Sequence, residues 1–366
     1  VPFTVDGKEE VITVEKFNVP QKGRISVQKT GNTFVSAAVS SSAYTDENGN
    51  MIESPVTYTP VFSESGLANA VFQIIAGEDI ITADGTVRAN AGDVVAEIAT
   101  DENGYAETDL LYLGKYEIKE IQAPDGYALN GESQFIELTY AGQEVEIRDT
   151  VNINFVNEYQ GVEITLSKLM EQDGLFNIGN SDEYTNVRFG LFAAEDLTAA
   201  DGTVIPADGL ISEISLDENM TAQFDVQLPF GKYYVQEIGT DEHYVLNGEK
   251  YLVTFEYQGQ DIQTVSIDCG TFENRLKRGK IEGIKTNESG DPLENALFGL
   301  FAMDCTEFTE ENALMTAKSD DKGCFSFDDI PYGEYVIREI KAPDGYILSD
   351  ETFSLKCLPQ DSLCSA

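Results

Sequence analysis

The chain has 366 residues, 42% hydrophobic and 10% aromatic, enough apolar material for roughly two to four cored domains and not a disordered tail. Its 23 Lys and Arg stand against 65 Asp and Glu, a net charge of −42, and so acidic a surface repels nucleic acid phosphates and anionic lipid. The charge serves solubility, with weak, non-specific cation binding as the alternative use.

The sequence opens at Val1 without a start Met and shows no signal segment and no apolar run near the roughly 20 residues that span a bilayer. Residues 1–22, ending in KFNVPQKG, read as the last strands of a preceding, incomplete repeat. A first full module, 23–160, runs from RISVQK through an insertion near 31–66 to AVFQIIAGEDI (from Ala70), the turn TDENGYAETDL, and GKYEIKEIQAPDGYALNGE (Gly114–Glu132). A second module, 161–278, repeats the order with VRFGLFAAEDL (from Val187) and GKYYVQEIGTDEHYVLNGE (Gly231–Glu249). A third, 279–366, has ALFGLFAMDCT (from Ala296), the turn SDDKGCFSFDD and GEYVIREIKAPDGYILSDE (Gly333–Glu351). Joints lie in NFVNEYQGVEITLSK and TFENRLKRGKIEGIK. Period-two alternation between Asp/Asn/Gly turns, with no sustained helical period, predicts antiparallel β-sandwiches.

Polar residues fall where core residues belong. In the opening strands, Ile25, Val27 and Lys29 share a face, as do Ile164, Leu166 and Lys168, and Ile281, Gly283 and Lys285. The Tyr-rich strands set Glu120, Glu237 and Glu339 behind an inward Tyr and an inward aliphatic, and the closing strands set Asn157 beside Phe155 and Asn274 beside Phe272. An unpaired Lys or Glu in an apolar core is costly, so the three residue types call for one another. Glu precedes Asn by 37 residues in both of the first two modules, across different loops, which points to one constellation used twice.

These features resemble the Cna B-type, or SpaA-type prealbumin-like, domains of Gram-positive cell-surface adhesins and pilins. The likeness rests on the strand Lys, the box Ala70-Val71-Phe72 and Ala296-Leu297-Phe298, and a Tyr–Glu–Ala-Pro–Gly-Tyr motif complete at Tyr116–Tyr127 and Tyr335–Tyr346. The second module departs from it, with TDEH for APDG, while Tyr233, Glu237 and Tyr244 remain. The resemblance covers essentially the whole chain. It implies an all-β, rod-like array of tandem antiparallel sandwiches, Ig-like and prealbumin-like. It also implies autocatalytic isopeptide bonds, Lys29–Asn157 and Lys168–Asn274, with Glu120 and Glu237 as proton shuttles. Burial is consistent with that chemistry, since it lowers a Lys pKa toward the neutral nucleophile and raises a Glu pKa toward the acid. The alternative is a buried Lys–Glu ion pair with Asn as hydrogen-bond partner and no bond. Lys285 and Glu339 form the third pair, but the same offset puts their acceptor beyond Ala366. Asn18 reads as the acceptor of the preceding repeat, so the chain is expected to be cut mid-module at both ends.

The resemblance further implies an extracellular, wall-anchored adhesin stalk or binding region, with the anchor signal outside these residues. It implies no enzyme and no cofactor, and as ligand class a host extracellular protein or glycan of unread identity. A pilus subunit, major or minor, is the alternative; a non-catalytic array on an extracellular enzyme is a third. The pilin motif uses a Trp and this chain has none, which favours the adhesin. Lys and box Phe stand 43 residues apart in the first module (Lys29 to Phe72), 21 in the second (Lys168 to Phe189) and 13 in the third (Lys285 to Phe298). The extra length is the Ser-, Thr- and Tyr-rich insertion, either a ligand loop or an inert hairpin.

Other motifs carry little. Cys269, Cys305, Cys324, Cys357 and Cys364 read as free thiols, with Cys305–Cys324 as the alternative disulfide. With one His, His243, and no CxxC, no metal site is expected. Asp46–Asn50 starts like a calcium loop but has Met51 where Gly is required, so it reads as a turn. Asn219-Met220-Thr221 and Asn287-Glu288-Ser289 fit the weak glycosylation sequon.

Overall fold

The computed structural model describes residues 7, 13–41, 43–45, 51–53 and 55–358. The turn at Asp46–Asn50 and Cys364 lie outside them. Regular structure among these residues is β throughout, apart from one 3-10 turn at Asp182–Asn186. No helix among them is long and apolar enough to cross a membrane.

The strands form for the reason the alternation suggests. Along Gly114–Gln122 the side chains of Tyr116, Ile118 and Glu120 are buried, while Lys115 and Lys119 face solvent. In the first module this strand sits between Gln134–Leu138 and Val71–Ala76, with Val94–Ala99 at the edge. The facing layer centres on the opening strand, Ile25–Ser40, which pairs antiparallel with Tyr105–Glu107. Ile25, Val27, Phe72, Ile74, Tyr116, Ile118 and Phe155 close one core between the layers.

The second module repeats this plan. Leu210–Ser215, Arg188–Ala193, Gly231–Gly239 and Lys250–Phe255 form one layer; Thr221–Phe224 and Thr264–Asn274 flank Gly161–Met170 in the other. In the third, Met315–Lys318, Leu297–Ala302, Gly333–Lys341 and Thr352–Cys357 form one layer, and Arg278–Ile284 pairs with Cys324–Pro331.

One detail differs from the antiparallel expectation. The closing strands Val151–Asn157 and Thr264–Asn274 run parallel to their opening strands. Each reaches its sheet by crossing from the opposite layer, and that crossover reverses the hairpin sense. The parallel pairing brings the acceptor Asn to the same end of the sandwich as the Lys.

By compactness the chain divides into two bodies. The first takes the residues up to Thr33, Phe62–Gln160 and the loop Tyr257–Gln263. Gln160, fully buried, anchors that loop by donating to the Gly259 and Ile262 carbonyls at 3.1 and 2.6 Å. The second body takes Phe34–Val61, Gly161–Glu256 and the residues from Thr264 onward. Within it the Ala37 amide donates to Thr203 Oγ1 at 2.7 Å, and Thr57 pairs with Leu210. The far part of the insertion is therefore an added strand pair packed on the second module. In the same body Arg278 bridges Glu171 and Asp173 at 2.8 and 3.0 Å, and Phe176 meets Tyr335 edge-on at 5.6 Å.

Candidate functional site

Each site starts with the backbone of its Lys. The Lys29 amide donates to the Gly104 carbonyl at 2.7 Å, and the Lys285 amide donates to Gly323 at the same distance. Both glycines have φ of +75°, and a Cβ on Gly104 would stand 2.1 Å from the Lys29 carbonyl, so the Asn-Gly and Lys-Gly turns need glycine there. In the second module Met220, at φ +58°, takes the glycine's place and accepts the Lys168 amide at 2.8 Å.

The side chains then converge. Lys29 and Glu120 have no exposed side-chain area, and Nζ lies 3.1 Å from Glu120 Oε1. Asn157, 2% exposed, donates from Nδ2 to Glu120 Oε1 at 2.9 Å, and Lys29 Nζ donates to Asn157 Oδ1. Phe72 and Phe155 wall the amine, each ring centroid 5.8 Å from Nζ. In the second module Lys168 Nζ lies 2.8 Å from Glu237 Oε1, and Asn274 Nδ2 donates to that oxygen at 2.8 Å. Phe189 and Phe272 pack at 5.0 Å as the corresponding wall.

Burial sets the electrostatics. It holds the Lys29 and Lys168 amines below the ordinary lysine range and pushes the Glu120 carboxyl above the ordinary carboxylate range, while each ion pair opposes the shift. An amine whose charge burial disfavours, set beside a carboxyl and a carboxamide, belongs to a set of groups able to form an amide and release ammonia. No cofactor enters that chemistry. Among the described residues no cluster of three or more His, Cys, Asp or Glu is arranged to hold a metal ion.

The third pair differs. Lys285 Nζ lies 3.1 Å from Glu339 Oε1, but the Lys side chain is 21% exposed. The pair opens into a groove of about 400 Å³ lined by Phe298, Phe325, Ile337, Phe353 and Leu355. Phe298 stacks on Phe325 at 3.9 Å, where the first two modules set the box Phe at an angle against a closing-strand Phe. The Phe325 ring lies over Gly283, which explains a glycine on that core face. Asn18 is exposed in a segment without regular structure. Cys269, Cys305 and Cys324 are free thiols.

Sequence reasoning missed several supporting residues. The Asn130 amide donates to Glu120 Oε2 at 3.1 Å and the Asn247 amide to Glu237 Oε2 at 2.7 Å, so each acid is held from behind. Their side chains donate to the Val156 and Glu273 carbonyls, at the residues before each acceptor Asn. The LNG triplet repeated in both modules was the available signal. Tyr127 and Tyr244 donate to the Asn32 and Glu171 carbonyls and tie down the opening strands just past each Lys.

The family profile described as the SpaA prealbumin-like fold domain matches residues 55–151, 159–268 and 279–361. No curated protein matches the chain. Among solved structures, the Bacillus anthracis TIE protein is similar at 20% identity and TM-score 0.55, over 88% of this chain and 56% of that one. The chain thus spans little more than half of that protein's length. The major pilin subunit BcpA of Bacillus cereus is 17% identical, with TM-score 0.35, over 92% of this chain and 95% of that one. The C-terminal fragment of pilus adhesin SpaC from Lactobacillus rhamnosus GG is also 17% identical, with TM-score 0.36, over 54% and 82%. At 20% identity the likeness to the TIE protein is one of fold.

Proposed function

From the premise that this chain belongs to the SpaA prealbumin-like fold domain family, we propose that its first two modules cross-link themselves, Lys29 to Asn157 and Lys168 to Asn274, as tension-carrying parts of an extracellular surface protein. The observation that carries this reading is the pair of buried Lys–Glu–Asn triads, made of the same three residue types and with the same Glu-to-Asn spacing.

The neutral Lys Nζ attacks Cγ of the Asn carboxamide, and a proton passes from Nζ through the Glu carboxyl to Nδ2. The Nζ–Cγ bond forms, the Cγ–Nδ2 bond breaks, and ammonia leaves. Each site reacts once, so this is maturation and not turnover. The bond joins the opening and closing strands, which carry the chain into and out of each module. Tension then runs through the covalent bridge and not through the sheet hydrogen bonds. An adhesin stalk uses that property, and so does a pilus subunit; the missing Trp favours the stalk.

Tryptic digestion of the folded protein tests the chemistry. Branched peptides joining Lys29 to Asn157 and Lys168 to Asn274 are expected; linear peptides alone, carrying all four residues unmodified, exclude it.

A further inference from the structure

The two triads hold their acceptors differently. In the first module the amine itself grips the carboxamide, with Lys29 Nζ donating to Asn157 Oδ1 while Nδ2 donates to Glu120. In the second module Asn274 Oδ1 is buried with no hydrogen bond among the described residues, and Lys168 faces Glu237. There Nδ2 donates twice, to Glu237 Oε1 at 2.8 Å and to Thr240 Oγ1 at 2.8 Å. Thr240 stands where the first module has Ala123 and the third has Ala342, three residues after the shuttle Glu. The second module's departure from the Ala-Pro-Asp-Gly motif thus places a hydroxyl on the nitrogen that departs.

We propose that Thr240 is a reaction residue of the second site, fixing the Asn274 carboxamide by its leaving nitrogen in place of the grip that Lys29 exerts in the first. This rests on the cross-linking reading above. A carboxamide held only through Glu237 can flip end for end and present Nδ2 toward the amine. With both N–H groups engaged, a flip would set Oδ1 against the Thr240 hydroxyl and Glu237 and lose the second N–H acceptor. The held orientation keeps Nδ2 beside the acid that must protonate it. The bond changes are those of the general reaction: Nζ–Cγ forms, Cγ–Nδ2 breaks, the Nζ proton reaches Nδ2 through Glu237, and ammonia leaves. Thr240 takes no net proton; its hydroxyl accepts the second N–H until the nitrogen departs.

The chain carries its own reference, because the first site lacks this hydroxyl. Thr240→Ala, Thr240→Val and Thr240→Ser are made in the full chain, and newly synthesised protein is sampled over time by peptide mapping. Alanine occupies the same place in the other two modules, so the substitution is compatible with the fold. Thr240→Ala and Thr240→Val should slow the Lys168–Asn274 bond about tenfold relative to Lys29–Asn157, the rate equivalent of one lost hydrogen bond. Thr240→Ser should restore the parental ratio. An unchanged ratio in Thr240→Ala, or a Thr240→Ser as slow as Thr240→Ala, overturns the assignment. If the parental chain forms neither bond, the cross-linking reading fails, and this one with it. If only the first bond forms in the parental chain, Thr240 has no such role and the first-site chemistry stands.

Discussion

Replacing Asn157 by Ala isolates the contribution of the covalent link. The substitution removes the acceptor but leaves the Lys29–Glu120 ion pair at 3.1 Å and the Asn130 amide on Glu120. No buried charge is stranded, so the large penalty for breaking a buried pair does not arise. The residues to be joined are 128 apart in sequence. By the loop-entropy argument used for disulfides, a cross-link over that span removes about 5 kcal/mol of unfolded-state freedom. For a domain of this size the loss corresponds to a fall of about 20 °C in the first module's melting temperature. If the parental protein holds Asn157 only by hydrogen bonds, the cost is about 1–2 kcal/mol, or about 5 °C. Calorimetry of the full chain separates these outcomes, with the second module as an unaltered reference. A drop of about 5 °C or less would refute the argument that a covalent bond stabilises this module.

Three further outcomes follow. Glu120→Ala should leave the first module folded with Lys29 and Asn157 unjoined while the second bond forms, as read by peptide mapping; a first bond at normal yield would show that Glu120 is not the shuttle. The pH dependence has a definite sign: burial shifts Lys29 down and Glu120 up, so the neutral amine and the protonated acid are best populated together between their two titrations. Formation of the first bond should therefore be fastest there, falling in acid as the amine protonates and in alkali as the acid ionises; a rate that climbs steadily into alkali, as for an ordinary Lys, would contradict the burial argument. Thr203→Val should release the Ala37 amide, which donates to Thr203 Oγ1 at 2.7 Å, and raise its hydrogen exchange about fivefold, the effect of about 1 kcal/mol; unchanged protection would show that this contact does not hold the insertion.

Much of this arrangement was legible in the sequence because β-structure writes its faces in alternate residues. Lys29, Glu120 and Asn157 each sit two places from a buried apolar residue, and that period alone directs them into one core. The equal spacing of Glu and Asn in two modules tied them together. What alternation does not encode is strand partnership at long range. The parallel pairing of Val151–Asn157 with the opening strand follows from a layer crossing, which no local pattern announces. The insertion beyond Thr33 read either as a ligand loop or as an inert hairpin, and its Phe34 and Val35 carbonyls accept the Ala200 and Asp201 amides. Those are contacts between backbones, indifferent to side-chain type. Thr240 was visible as a departure from a motif, but its contact with Asn274 depends on how a loop and a strand end meet in space.

The central claim is that the first two modules are each closed by one covalent bond. The mass of the intact, folded and purified chain tests it most directly. Two cross-links give a mass lower than that of the sequence by two molecules of ammonia. A mass equal to that of the unmodified sequence would contradict it.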